Sequence, residues 1–268
     1  MPELPEVETV VRTLRNHILH EKIHHVQVFW ERTVYESETF IQDLTNQHIQ
    51  DITRRGKYLI FTLDKGFMSV HLRMEGRFYM TPLDEAPKKH THVVFYLKDQ
   101  KLEFNDTRKF GRIKYCTEDP VILLTQLGLE PFDECLNPAY LRLKAKNRSI
   151  PIKTFLLDQS VIAGIGNIYA DEICFLCHLS PLKKVKTLTL KQWQELIDNV
   201  RMVLSDAILA GGTTVRSYTS SLGVTGRFQN TLNVYGRASL ACVSCTTPLK
   251  SIKIGQRTSV YCPACQKG

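Results

Sequence analysis

Cys242-Val243-Ser244-Cys245 and Cys262-Pro263-Ala264-Cys265 are two short cysteine pairs, sixteen residues apart, near the end of a 268-residue chain. Two such pairs at that separation fit a four-thiolate tetrahedral zinc site on two β-turn knuckles, with Cys242, Cys245, Cys262 and Cys265 as ligands. Four thiolates close the coordination shell, so the ion is structural rather than catalytic. Residues 249–261 between the pairs then read as a hairpin that draws its folding energy from one Zn2+ instead of a core. A third pair, Cys174 and Cys177, sits in a helical run, and Cys116 and Cys135 stand alone. Small core residues at helical spacing explain that pair better than a second metal. Reduced thiols, no signal-peptide pattern and no apolar run of membrane-spanning length make a cytoplasmic protein the expectation.

Charge is gathered around the same end. The chain carries +8 overall, yet after Asp206 there is no acidic residue, while Arg216, Arg227, Arg237, Lys250, Lys253, Arg257 and Lys267 follow. A basic terminal module beside a balanced body suggests a polyanion partner. Arg257 falls on the predicted hairpin, where an arginine can be aimed bidentately at a phosphate or can simply be solvated.

Upstream, residues beyond 131 read as helices over 138–143, 152–158, 167–177 and 190–210. Ala163-Gly164-Ile165-Gly166-Asn167 makes a tight turn opening onto one of these. Glycine turns at helix N-termini present N–H groups to phosphate, although a plain connection has the same appearance. Residues 23–117 differ in texture. Short β-rich runs over 26–30, 58–63, 68–72, 77–80, 93–97, 102–105 and 112–116 alternate with turn signals. An antiparallel sandwich or barrel fits that spacing better than βαβ units.

The N-terminus begins Met1-Pro2-Glu3-Leu4-Pro5-Glu6, and Val7, Val10, Val11, Leu14 and Ile18 mark an amphipathic helix over 5–20. Pro5 with Glu6 and Glu8 suits a helix start. Pro2 carries a second possibility. Trimming of Met1 exposes a secondary amine whose class titrates near pH ~8, below the ~10.4 of lysine. Attack on a sugar aldehyde carbon by such an amine gives an iminium, with Glu3 beside it as acid or base. Lys57, at the start of a strand, is either a phosphate ligand or an edge charge that opposes aggregation. Two segments, His71-Leu72-Arg73-Met74-Glu75-Gly76 and Asp106-Thr107-Arg108-Lys109-Phe110-Gly111-Arg112, mix bulky, basic and glycine residues. Met74, Arg108 and Phe110 have the chemistry of side chains that fill the gap left by an everted base, and Met74 and Phe110 equally suit a core.

Taken together, these segments resemble the formamidopyrimidine-DNA glycosylase family along the whole chain. The match runs through residues 1–9, Gly56-Lys57-Tyr58-Leu59, 71–76, 107–112, 164–170, Gly211-Gly212-Thr213-Thr214 and Val234-Tyr235-Gly236-Arg237 before the cysteines. Leu4 resembles the purine-lesion branch, since the endonuclease VIII relatives typically have glycine there. The resemblance implies an α+β protein: an N-terminal antiparallel β-sandwich with flanking helices (1–131), a helical helix-two-turn-helix domain (132–230) and a zinc hairpin (231–268). It implies a monomer acting on damaged double-stranded DNA, with no membrane. Pro2 becomes the nucleophile, Glu3 the acid/base, Lys57 and Arg257 the residues of β- and δ-elimination, and Glu6 a supporting acid. His90, Arg108, Arg148, Lys153 and Asn167 become DNA contacts, Met74, Arg108 and Phe110 the void-filling trio, and 216–228 a loop that caps the lesion. The alternatives are a pyrimidine-specific endonuclease VIII type and a zinc-ribbon DNA-binding protein without catalysis. Thr246 stands where the family commonly has glycine, Ala238-Ser239-Leu240 replaces a glycine-rich approach to Cys242, and Lys109 replaces an arginine.

Overall fold

The computed structural model of the protein describes residues 1–35, 39–119, 124–213 and 227–267. Residues 216–226 of the expected capping loop lie outside the described residues, as does Thr214. The chain folds into two compact units, Met1–Thr125 with Ala210–Arg227 and Gln126–Leu209 with Phe228–Gly268. The zinc hairpin falls in the same unit as the helices, and residues 210–213 fall in the first unit.

In the first unit, α1 (Leu4–Ile18) buries the predicted stripe of Val7, Val10, Val11, Leu14 and Ile18. Among the described residues eight strands follow: β1 (His25–Val28), β2 (Ile49–Arg55), β3 (Tyr58–Leu63), β4 (Phe67–His71), β5 (Arg77–Pro82), β6 (Thr91–Tyr96), β7 (Gln100–Asn105) and β8 (Arg112–Cys116). They form two antiparallel four-stranded sheets, ordered β1-β6-β7-β5 and β2-β3-β4-β8. One apolar core joins the sheets, and Phe61 of one meets Phe78 of the other at a ring separation of 6.0 Å. This is the expected sandwich. Two elements escaped the sequence reading, β2 and the short helix α2 (Phe40–Leu44). In β2 the register shifts between Ile49 and Asp51, and such an irregularity destroys the alternation by which a strand is recognised.

The second unit holds α3 (Pro138–Ala145), α4 (Ile152–Leu157), α5 (Asn167–Leu176), α6 (Leu190–Leu209) and the hairpin β9 (Lys250–Ile254)–β10 (Arg257–Tyr261). Asn137 caps α3 by accepting the Tyr140 N–H at 3.0 Å, with Pro138 in the first turn. In α6 the residues Trp193, Leu196, Ile197, Val200, Val203, Leu204 and Ala207 are buried, the spacing of one helix face. Cys174 lies wholly in the core, where burial pushes its thiol far above the ordinary range, consistent with an inert packing role. Among the described residues no helix is long and apolar enough to cross a membrane.

Candidate active site and nucleic-acid interface

Pro2 is buried at the head of α1, and Met1 before it is exposed. Glu3 and Glu6 close a capping box, in which the Glu3 N–H donates to Glu6 Oε2 at 2.8 Å and the Glu3 carboxylate accepts from the Glu6 backbone. The other Glu6 oxygen accepts both the backbone N–H of Thr213, at 2.7 Å, and its hydroxyl, at 3.0 Å. Gly212 makes that approach possible. It has φ +78°, and a Cβ there would stand 2.8 Å from Glu6 Oε1. Glu6 thus ties the N-terminus to a segment more than two hundred residues downstream.

Lys57 occupies the two-residue turn between β2 and β3 and is buried. The turn is tied to α1 through Arg54, whose Nε donates to Glu8 at 3.3 Å and whose Nη1 donates to the Gly56 carbonyl at 3.1 Å. Beside it, His71 meets the Tyr58 ring edge-on at 4.5 Å and accepts the Arg73 N–H at 3.0 Å on Nδ1. Burial, then the charges of Arg73 and Lys57, push the imidazole down to about 3, so it is neutral at physiological pH.

The two basic, bulky segments are brought together. The Thr107 hydroxyl donates to the Glu75 carboxylate, linking the β4–β5 and β7–β8 loops. Asp106, wholly buried, builds the second loop by accepting the N–H groups of Arg108, Phe110 and Gly111 at 2.9, 2.8 and 2.7 Å. Gly111 has no space for a Cβ, which would lie 2.5 Å from the Phe104 ring. The loop displays Arg108 over the Phe110 ring at 5.1 Å, and Phe110 is 48% exposed. Met74 is half-buried. His90 is exposed on the β5–β6 loop, with φ +70°.

In the second unit, the glycine turn is held by Gln159, which accepts the Gly164 N–H at 2.9 Å and donates to the Ile165 carbonyl at 2.8 Å. Asn167 Nδ2 donates to the Thr258 carbonyl at 3.1 Å, joining this turn to the strand that begins with exposed Arg257. Arg148 is half-buried, donating to Asp158 at 2.7 Å with its guanidinium over the Phe155 ring. Lys153 differs from the expectation of a phosphate ligand. Its side chain is fully buried, and its ammonium donates to Asp171 at 2.5 Å and to the Asn167 carbonyl at 3.1 Å. It supports the turn from behind.

The four cysteine Sγ atoms lie within 4.8 Å of one another. Cys242–Cys265 and Cys245–Cys262 are 3.9 and 3.4 Å apart, against about 3.8 Å for tetrahedral thiolates around zinc. Backbone N–H groups of Ser244 and Cys265 point at Cys242 and Cys262 Sγ, both at 3.4 Å, as suits thiolates. The cluster fits one structural Zn2+. Both departures from glycine sit in strained backbone, Thr246 at φ +61° and Ser239 at φ +69°.

Residues that sequence reasoning missed are the acids and amides behind these groups. Asp171 accepts Lys153, the Ser259 hydroxyl and the Val260 N–H, while Glu172 accepts the N–H groups of Asn233, Val234 and Tyr235 at 2.8–2.9 Å. Adjacent acids on one helix read as an ordinary solvated pair until their distant partners are seen.

Three family models match the chain: the formamidopyrimidine-DNA glycosylase N-terminal domain over residues 1–113, its H2TH domain over 127–219, and the zinc finger found in FPG and IleRS over 239–268. The formamidopyrimidine-DNA glycosylase of Lactiplantibacillus plantarum is 43% identical, with both chains covered in full. Among solved structures, a variant of the Lactococcus lactis FPG in complex with Fapy-dG-containing DNA superposes with TM-score 0.95 at 38% identity, covering 100% of each chain. The same relative's complex with abasic-site DNA gives TM-score 0.94 at 38% identity, covering 99% of this chain and 100% of the other.

Proposed function

The chain belongs to the formamidopyrimidine-DNA glycosylase family, and on that premise we propose that it excises oxidised purines from duplex DNA and cleaves the resulting abasic site. The observation that carries the reading is Pro2, buried beside buried Glu3 at the head of a helix whose cap is locked by Glu6. Once Met1 is removed, the Pro2 amine attacks C1′ of the damaged nucleotide. The C1′–N bond to the base breaks, and the bonding pair leaves with the base. The amine loses its proton, and the C1′–O4′ bond then breaks, with O4′ taking up a proton as the sugar ring opens. The nitrogen lone pair forms the C1′=N bond of an iminium, which is cationic and draws electrons from C2′. Glu3 is the group that handles the ring-oxygen or C2′ proton. Loss of the C2′ proton expels the 3′ phosphate, and a second elimination expels the 5′ phosphate, leaving a one-nucleotide gap. Lys57 and Arg257 serve these steps as proton donor and phosphate ligand.

DNA is held through phosphate by His90, Arg148 and Asn167, with Lys153 fixing the backbone beneath Asn167. Met74, Arg108 and Phe110 fill the space vacated by the flipped base, a role supported by the exposed Arg108–Phe110 stack. The substrate assignment is supported by the Lactococcus lactis relative seen with Fapy-dG DNA, and the lyase step by its abasic-site complex.

Borohydride reduction tests the mechanism. Protein lacking Met1 is expected to become covalently attached to an 8-oxoguanine duplex, and Pro2→Gly or retained Met1 to abolish trapping. No adduct from protein with a verified Pro2 terminus overturns the Schiff base. Release of thymine glycol much faster than 8-oxoguanine overturns the purine assignment alone.

A further inference from the structure

The outward face of β7 is built from residues that ordinarily seek water. Lys101, Glu103 and Asn105 alternate along the strand, as side chains on one face must, yet all three are buried. What covers them is the β5–β6 loop, and each grips its backbone. Lys101 Nζ donates to the Glu85 carbonyl. Glu103 Oε2 accepts the Lys88 N–H at 2.9 Å, and Asn105 Nδ2 donates to the Lys89 carbonyl at 2.7 Å. One residue beyond the strand, the Asp106 N–H donates to the His90 carbonyl at 3.1 Å. Lys88, Lys89 and His90 are thus held one after another by 103, 105 and 106.

The end point of this series is unusual. His90 is exposed and has φ +70°, a conformation disfavoured for any residue with a Cβ. It persists because the carbonyls and amide around it are fixed from below. Glu103 is itself locked, its two oxygens accepting the Thr81 and Thr91 hydroxyls at 2.8 and 2.6 Å, with the Lys101 ammonium 3.8 Å away. Burial pushes its carboxyl up, but the bonds from Thr91, Lys88 and Thr81 and the Lys101 charge outweigh that and hold it below its ordinary value. The carboxylate stays charged at neutral pH.

We infer that Glu103 and Asn105 are positioning residues for DNA binding: they hold the 85–90 loop so that the strained His90 is presented, preorganised, to a DNA phosphate. The inference rests on the assignment of His90 as a DNA contact. It adds that the affinity of this contact is set from β7, by groups that themselves never touch DNA.

The test is a double-mutant cycle on binding to a duplex carrying a tetrahydrofuran abasic analogue, read by fluorescence anisotropy. Asn105→Ala removes one grip without unburying a charge. Lys101→Met with Glu103→Gln neutralises the buried pair together, avoiding a lone charge in the core. His90→Ala is expected to weaken binding about tenfold, the loss of one hydrogen bond to a charged group. Asn105→Ala and the paired variant are each expected to weaken it by a similar factor, with the single-turnover excision rate at saturating enzyme unchanged. Each, combined with His90→Ala, is expected to be no weaker than His90→Ala alone. Additive losses overturn the inference, because a purely structural role of the strand would affect binding independently of His90. Unchanged affinity in both β7 variants alongside weakened His90→Ala also overturns it and leaves the His90 assignment standing. Unchanged affinity of His90→Ala removes the assignment and the inference together.

Discussion

At the scale of a residue, Thr246 holds a strained backbone in the first zinc knuckle. Thr246 follows the last cysteine of the first knuckle, and its amide closes the turn onto the Cys242 carbonyl at 3.0 Å. The turn demands φ +61°, and threonine adopts it with a β-branched side chain in a conformation that costs an L-residue roughly 1–2 kcal/mol. Its hydroxyl recovers part of this by donating to the Cys245 carbonyl at 2.6 Å. Glycine carries no such penalty but loses more backbone entropy on folding, about 0.5–1 kcal/mol. Thr246→Gly is therefore expected to stabilise the finger modestly, slowing zinc loss to a chelator about threefold, equivalent to about 0.7 kcal/mol. Faster zinc loss in the variant would mean that the Thr246 hydroxyl outweighs the strain. The same scale gives Glu6 a structural place beside the proposed chemistry. One carboxylate accepts the Glu3 amide on one oxygen and the Thr213 amide on the other, which supports its proposed part in holding the helix start beside Pro2.

At the scale of elements, the second unit is organised by α5. Two successive acids on its first turns reach different segments, Asp171 to β10 and Glu172 to residues 233–235, so the helix clamps both ends of the approach to the zinc site. Burial pushes the Asp171 carboxyl up, while Lys153, Ser259 and the Val260 amide pull against it. Asp171→Asn leaves the Lys153 ammonium in the core without a counter-charge, and breaking one side of a buried pair costs about 3–5 kcal/mol. Replacing both, Lys153→Met with Asp171→Leu, is expected to recover much of that loss in urea unfolding. A pair variant as unstable as Asp171→Asn would show that the hydrogen bonds to β10, not the charge, carry the stability. These partnerships explain what the sequence could and could not reveal. The α1 stripe, the strands that alternate cleanly and the four cysteines have local periods or spacings, and they are legible. β2 is not, because its irregular register breaks its alternation. Nor was the burial of Lys153, which the family resemblance implied to be a phosphate ligand, since its partner Asp171 lies eighteen residues on. Proximity in space of residues distant in sequence is what pattern reading lacks.

At the scale of the whole molecule, the two units differ in what holds them. The first has a core that joins both sheets and α1, large enough to be stable without a metal. Around the finger the cluster is small, Phe175, Val234, Cys242, Leu249, Val260 and Cys262, and two of its members are zinc ligands. So little apolar area cannot offset the conformational entropy of an ordered hairpin, whereas zinc bound by four thiolates contributes about 10–16 kcal/mol in small fingers. Zinc removal should therefore act as a graded lesion, measurable by hydrogen exchange and mass spectrometry. Protection in β9 and β10 is expected to vanish. In α5 it is expected to fall, because Asp171 loses the Ser259 and Val260 groups it was holding. The β3, β4 and β7 strands of the first unit are expected to keep theirs, since none of their partners depends on the metal. DNA affinity is expected to drop with the hairpin, because Arg257 lies at the start of β10 and Asn167 is tied to that strand through Thr258. Loss of protection throughout the sandwich on chelation would show that the molecule unfolds as one cooperative body. Full affinity for DNA in the zinc-free protein would remove Arg257 from the phosphate contacts.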